Sequence, residues 1–169
     1  MSLIYTKEWE NELMELAVLN VWTVENNGAK IIELIEMGNQ TKDKKVVQAI
    51  IRAFDSDINI DETFYGILST IEPTLYFEAL FEMAPEFLEN KNRRLLVLSV
   101  LEQTNGNKYT KKEWDIFYNV ANKYLSKKDL EAFILAFKEE DEEYGECGDE
   151  YPYPEFYELF QKLLKEKSE

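Results

Sequence analysis

The side chains of this chain best able to do chemistry are carboxylates, and they gather in one place. Residues 139–155 read EEDEEYGECGDEYPYPE. Nine of these are acidic (Glu139, Glu140, Asp141, Glu142, Glu143, Glu146, Asp149, Glu150 and Glu155) and none is basic. Carboxylates can hold a hard cation, work in pairs as general acid and base, or pair with lysine and arginine on another molecule. Calcium wants several oxygen ligands, but the spacing here matches no EF-hand order of ligands, glycine and closing glutamate, so no metal is expected. With 34 acids in the chain, carboxylate pairs arise by chance. Glu33 with Glu36, and Asp61 with Glu62, read as solvated helix faces and helix-start charges rather than as a glycosidase pair.

Other catalytic chemistry is thin. The chain has no histidine, which removes Ser-His and Cys-His dyads, the usual general base near neutral pH and the commonest zinc ligand. Its one cysteine, Cys147, lies among acids that disfavour the thiolate. The six glycines are scattered, and none sits in a phosphate-binding frame. No catalytic residue and no cofactor is expected, and the chain reads as a binding protein.

The acidic segment therefore reads as a partner-binding loop over 139–155. Tyr144, Tyr151, Tyr153 and Tyr157 are interleaved with its acids. Tyrosine supplies contact area and a hydrogen-bonding tip at little entropic cost, and carboxylates beside it steer a basic partner. Gly145 and Gly148 allow a sharp bend. The candidates are Asp141, Glu142, Glu143, Tyr144, Asp149, Glu150, Tyr151 and Tyr153. The plainer alternative is a mobile linker whose tyrosines pack against the last two helices.

The remaining composition narrows the class of protein. A formal charge of −15 repels nucleic acid and anionic membrane and draws in basic partners. Without the nine segment acids the surplus falls from 15 to 6, so this stretch carries most of it. A chain of 169 residues, 45% hydrophobic and 14% aromatic, has enough to bury for one packed domain over 1–169. A single cysteine, an N-terminus without a signal-peptide pattern and no apolar run of membrane-spanning length lead to an expected cytoplasmic location.

The elements that must position these residues are helical throughout. Thr6 caps a first helix running towards Val21, and Asn26-Asn27-Gly28 breaks the chain after it. A second helix carries Ile31, Ile32, Leu34 and Ile35, with Gly38 as its stop. Thr41 or Asp43 starts a third, and Asp61 a fourth that ends at Glu72-Pro73-Thr74. A fifth spans Leu75 to Met83, where Pro85 starts a new turn or kinks it. A sixth holds Leu95 to Leu101. Thr110 to Glu113 forms a capping box for a seventh, and Ser126 to Asp129 a shorter version for an eighth. A ninth runs from Glu155 to about Lys167. Trp9, Trp22 and Trp114 read as core. No segment alternates like a strand. The fold expected is all-α with about nine helices, either irregular stacked hairpins in a HEAT-like solenoid or a compact multi-helix bundle.

Within this frame the stretch from Ile50 to Leu101 resembles the immunity protein 30 family of bacterial polymorphic-toxin systems. The residues that carry the resemblance are Ile51-Arg52-Ala53-Phe54-Asp55-Ser56-Asp57, then Asp61-Glu62-Thr63-Phe64-Tyr65-Gly66-Ile67-Leu68 and Ile71-Glu72. Tyr76-Phe77-Glu78-Ala79-Leu80 and Pro85-Glu86-Phe87-Leu88 follow. The chain departs from the family at Asn90-Lys91-Asn92-Arg93-Arg94, where an aromatic-rich stretch is usual. The resemblance implies an all-helical protein that binds a co-encoded toxin domain and blocks it; it gives no binding face, and the acidic positions Asp55, Asp57 and Glu72 are further candidate contacts by their charge. An acidic inhibitor suits a basic effector such as a nuclease, whose site must attract phosphate. Two other readings stand beside it: a helical adaptor for cellular proteins, and an enzyme working through carboxylates with a divalent metal.

Overall fold

The computed structural model describes residues 3–17, 27–53, 66–89, 98, 100–101, 109–150 and 154–169. Every regular element among them is a helix, so the all-α expectation holds. The helices delimited here are α1 (Lys7–Ala17), α2 (Asn27–Glu36), α3 (Lys44–Ala53), α4 (Pro73–Leu88), α5 (Lys111–Tyr124), α6 (Lys127–Glu146) and α7 (Pro154–Ser168). Residues 66–68, 98, 100 and 101 are also helical. The chain divides into two units, Met1–Leu80 and Phe81–Glu169. The division falls inside α4, four residues before Pro85, whose missing N–H leaves the helix one backbone bond short. Pro85 neither ends α4 nor opens a new turn; the helix continues to Leu88.

Local chemistry sets the helix starts. The Thr6 hydroxyl accepts the Trp9 N–H at 3.2 Å and opens α1. Asp43, not Thr41, caps α3: its Oδ1 accepts the Lys45 N–H at 3.0 Å, while Oδ2 accepts the N–H of Tyr5 at 2.9 Å. Glu72 caps α4 by accepting the Leu75 N–H at 3.0 Å, with Pro73 in the first helical position that suits it. Ser126 and Asp129 close a full capping box at α6. Thr110 and Glu113 close half of one at α5: the Glu113 N–H reaches the threonine oxygen, and the threonine hydroxyl turns to the Glu113 carboxylate.

In the first unit α1 packs on α2 and α3. Trp9, Leu13 and Ala17 are buried, as are Ile31, Leu34 and Ile35 of α2 and Val46, Val47, Ile50 and Ile51 of α3. The Trp9 indole N–H donates to the Leu34 carbonyl at 3.3 Å, as a buried indole must find an acceptor. Gln48 donates to the Ala79 carbonyl at 3.2 Å, and the Thr41 hydroxyl to the Leu3 carbonyl at 2.9 Å.

One expectation fails here, and another holds in place but not in cause, since α2 does end at Glu36, just before Gly38. Asn27 and Gly28 do not break the chain but form the first turn of α2. Gly38 is not a left-handed stop; Gln40 takes the positive φ of 56°. Gly38 is small because it is crowded. A Cβ there would overlap Ile50 Cδ1 and lie 3.1 Å from the Ile35 carbonyl oxygen.

The second unit is built on phenylalanine. Phe81, Phe117, Phe133, Phe137, Phe156 and Phe160 are all essentially buried. Phe133 and Phe160 stack at 4.6 Å, and Phe81 meets Phe117 edge-on at 5.2 Å, both geometries favoured by ring quadrupoles. Trp114 is half-buried beside Phe117 and Phe156. Lys167 donates to the Asn122 carbonyl at 2.7 Å, and the Tyr118 hydroxyl to Glu166, fastening α7 to α5. Trp22 and residues 61–65 and 95–97 lie outside the described residues. None of the described helices is long and apolar enough to cross a membrane.

Candidate functional site

The acidic segment is not one loop. Glu139–Glu146 form the last turns of α6, which runs unbroken from Lys127. Nucleation is the costly step in a helix, and here the buried Leu130, Phe133, Ala136 and Phe137 have already met it. Glutamate, a good helix former, then extends what exists, although like charges crowd the exposed surface.

The helix stops through a left-handed turn at Gly148, φ 83°. The Gly148 N–H donates to the Gly145 carbonyl at 3.1 Å, the Asp149 N–H to the Tyr144 carbonyl at 2.9 Å, and the Cys147 N–H to the Glu143 carbonyl at 3.3 Å. Carbonyls otherwise orphaned at a helix end are thereby satisfied. Cys147 is exposed at the cap itself.

This turn faces the start of α7, and a cleft of about 540 Å³ lies there. It is lined by Phe137, Lys138, Asp141 and Gly145 of α6, by Asp149 and Glu150, and by Pro154 and Tyr157 of α7. Phe137, Pro154 and Tyr157 give the lining an apolar and aromatic part, and the charged side chains set three carboxylates against one ammonium. Three of the expected partner-binding residues, Asp141, Asp149 and Glu150, meet around it. Glu142 and Glu143 are exposed on the same helix without lining the cleft, and Tyr144 is half-buried.

Glu72, by contrast, is exposed at the start of α4 in the first unit, occupied as a helix cap. Asp55, Asp57, Tyr151 and Tyr153 lie outside the described residues. Lys138, Pro154 and Phe137 line the cleft and were not anticipated as site residues. Phe137 and Lys138 neighbour Asp141 along α6 by helical spacing, whereas Pro154 joins them only through the packing of α6 on α7.

A second charged constellation, invisible in the sequence, sits in the first unit. Glu10 is buried, accepts from the Tyr5 hydroxyl and from Lys7 Nζ at 2.7 Å, and lies 3.8 Å from the Arg52 guanidinium. Burial pushes its carboxyl up, but hydrogen bonds from Lys7 and Tyr5, with the charges of Lys7 and Arg52, outweigh it and hold Glu10 below its ordinary value. The same carboxylate raises the Tyr5 hydroxyl and, through its hydrogen bond, the Lys7 ammonium. These partners hold α1 against α3.

Among the described residues no group of three or more acids and cysteines is placed to share a metal ion. The arrangement around the α6–α7 cleft is suited to holding a positively charged group against an apolar surface. Comparison with known proteins returns no match among protein families, curated proteins or solved structures.

Proposed function

We propose that the chain is an immunity protein that binds and neutralises a co-encoded bacterial toxin domain in the cytoplasm, by occlusion and without chemistry of its own. The observation that carries this reading is the meeting of Asp141, Asp149 and Glu150 around one cleft that Phe137 and Tyr157 also line, with Glu142 and Glu143 exposed on the same helix. Such a surface attracts a basic effector and repels nucleic acid, as an inhibitor of a nuclease would. The pattern of residues between Ile50 and Leu101 agrees with it. Within the units α1 packs on α2 and α6 on α7, pairings that irregular stacked hairpins and a compact bundle share.

The test is capture from lysate of the source cells with the tagged chain, elution up a salt ladder and identification of partners by mass, followed by co-expression. One stoichiometric basic partner that persists to high salt, and whose growth arrest the chain relieves, supports the reading. Many weak partners lost at modest salt, with no relief of arrest, favour a helical adaptor instead.

A further inference from the structure

Gly145 stands in a helix that gains nothing from it. Its φ is not positive, and a Cβ built on it meets nothing within 4 Å among the described residues. Glycine in such a position weakens a helix relative to alanine, because it loses more freedom on folding. Neither a turn nor internal packing asks for it. What the missing side chain does is leave open the cleft that Gly145 lines.

The electrostatics of the same place point to the charge of what enters. The C-terminal end of a helix dipole is negative and favours cations, yet the last turn of α6 has no basic residue. Asp141, Asp149 and Glu150 add their charges to it, opposed within the cleft by Lys138 alone. Phe137, Pro154 and Tyr157 supply the apolar part of the lining. Three carboxylates and two aromatic residues lining one cleft at a negative helix end fit a group that is cationic, planar and weakly hydrated. Arginine has that character: its guanidinium stacks on rings and forks onto carboxylates, whereas the lysine ammonium is compact and strongly hydrated.

We propose that the α6–α7 cleft is an anchor site for one arginine of a basic protein partner, together with the backbone that carries it. Resting on the immunity reading above, this assigns the residue type the toxin presents. The volume, within the range of about 300–1,000 Å³ typical of ligand sites, accommodates a side chain and its adjoining peptide groups.

The probe is the peptide acetyl-Gly-Arg-Gly-amide, titrated into the isotopically labelled full chain and followed by backbone NMR. Saturable shifts concentrated at Phe137–Gly145, Asp149–Glu150 and Tyr157 are expected. They are lost with the citrulline peptide, which keeps shape and drops charge, and fall at least severalfold with the lysine peptide. Gly145→Phe fills the cleft and abolishes the shifts. Should that variant unfold, Asp149→Asn with Glu150→Gln keeps the backbone turn and weakens binding at least severalfold. Shifts spread evenly over the acidic surface, or equal shifts in Gly145→Phe, overturn the proposal. A captured toxin that binds Gly145→Phe with unchanged affinity overturns the anchor and leaves the immunity reading standing. A peptide that seats in the cleft of a chain that relieves no toxin sinks the immunity reading alone.

Discussion

The Asp149 amide donates to the Tyr144 carbonyl across the left-handed turn at Gly148, at 2.9 Å, and so fixes where the chain leaves α6. The bond ties together two residues that composition alone would leave on an open loop. It makes the acidic end of the helix a shaped surface.

That turn depends on a glycine. Gly148→Ala keeps the hydrogen-bonding groups but places a Cβ where φ is 83°. The expected loss is about 1–2 kcal/mol in urea unfolding. Gly145→Ala, three residues earlier and in helical conformation, is expected to stabilise by about 0.5–1 kcal/mol. Opposite signs from the same substitution at neighbouring glycines would separate the one that makes the turn from the one that leaves space.

Crowding at Gly38 predicts a coupled pair. Gly38→Ala drives a methyl into Ile50 Cδ1, and overpacking of this kind costs about 1–3 kcal/mol. Ile50→Val removes that carbon at its own cost of about 0.5–1.5 kcal/mol. Unfolding free energies of the double variant are expected to show less loss than the two singles added together. Simple additivity would mean that the Ile35 carbonyl, 3.1 Å from the new Cβ, is the obstacle.

Acid should find Glu10. Its folded carboxyl titrates below the ordinary 4.5, so its stabilisation is complete above that value and is lost as pH falls through the folded one. Glu10→Gln is expected to cost about 1–3 kcal/mol at neutral pH and to flatten this part of the stability curve. Unfolding measured at successive pH values through the carboxylate range checks both. A variant with the same acid slope as the parent would show that other carboxylates govern it.

Charge reversal at Asp141, Glu142 and Glu143 tests the proposed function through kinetics. With a basic partner at low salt, the triple lysine variant is expected to associate about tenfold or more slowly, and the difference should shrink as salt rises. Stopped-flow or surface-binding rates report it. An unchanged on-rate at low salt would remove this surface from the encounter. Lys138→Gln, which removes the cation from the cleft, is expected to act in the opposite sense and slow dissociation.

Features with local causes were legible in the sequence. Thr6, Ser126 and Asp129 announce helix starts because a cap needs only residues within one turn, and the spacing of Ile31, Leu34 and Ile35 marked the buried face of α2. The acids of the cleft were legible as composition. Their setting was not, because charge density reads as loop while helix propagation from Phe133 and Phe137 decides the matter. Gly38 was legible as the place where α2 stops but not as a crowded position, which only the approach of α3 reveals. The Glu10 pairing with Arg52 had no local signal at all, since it joins α1 to α3 across the intervening helix.

The buried polar residues Glu10, Thr41 and Gln48 all belong to the first unit, whereas the described core of the second is phenylalanine, leucine, alanine, valine and methionine. The cost of a core substitution therefore has different sources in the two units. In the second, a volume-conserving swap at Leu130 or Leu163 changes packing alone, whereas one at Phe133 or Phe160 also loses their ring stack. In the first, a change at Thr41 or Gln48 unmakes a bond to the Leu3 or Ala79 carbonyl. The unit that carries the acidic cleft is thus the one whose described core is held by packing and ring geometry rather than by buried side-chain to backbone bonds of the kind Thr41 and Gln48 make.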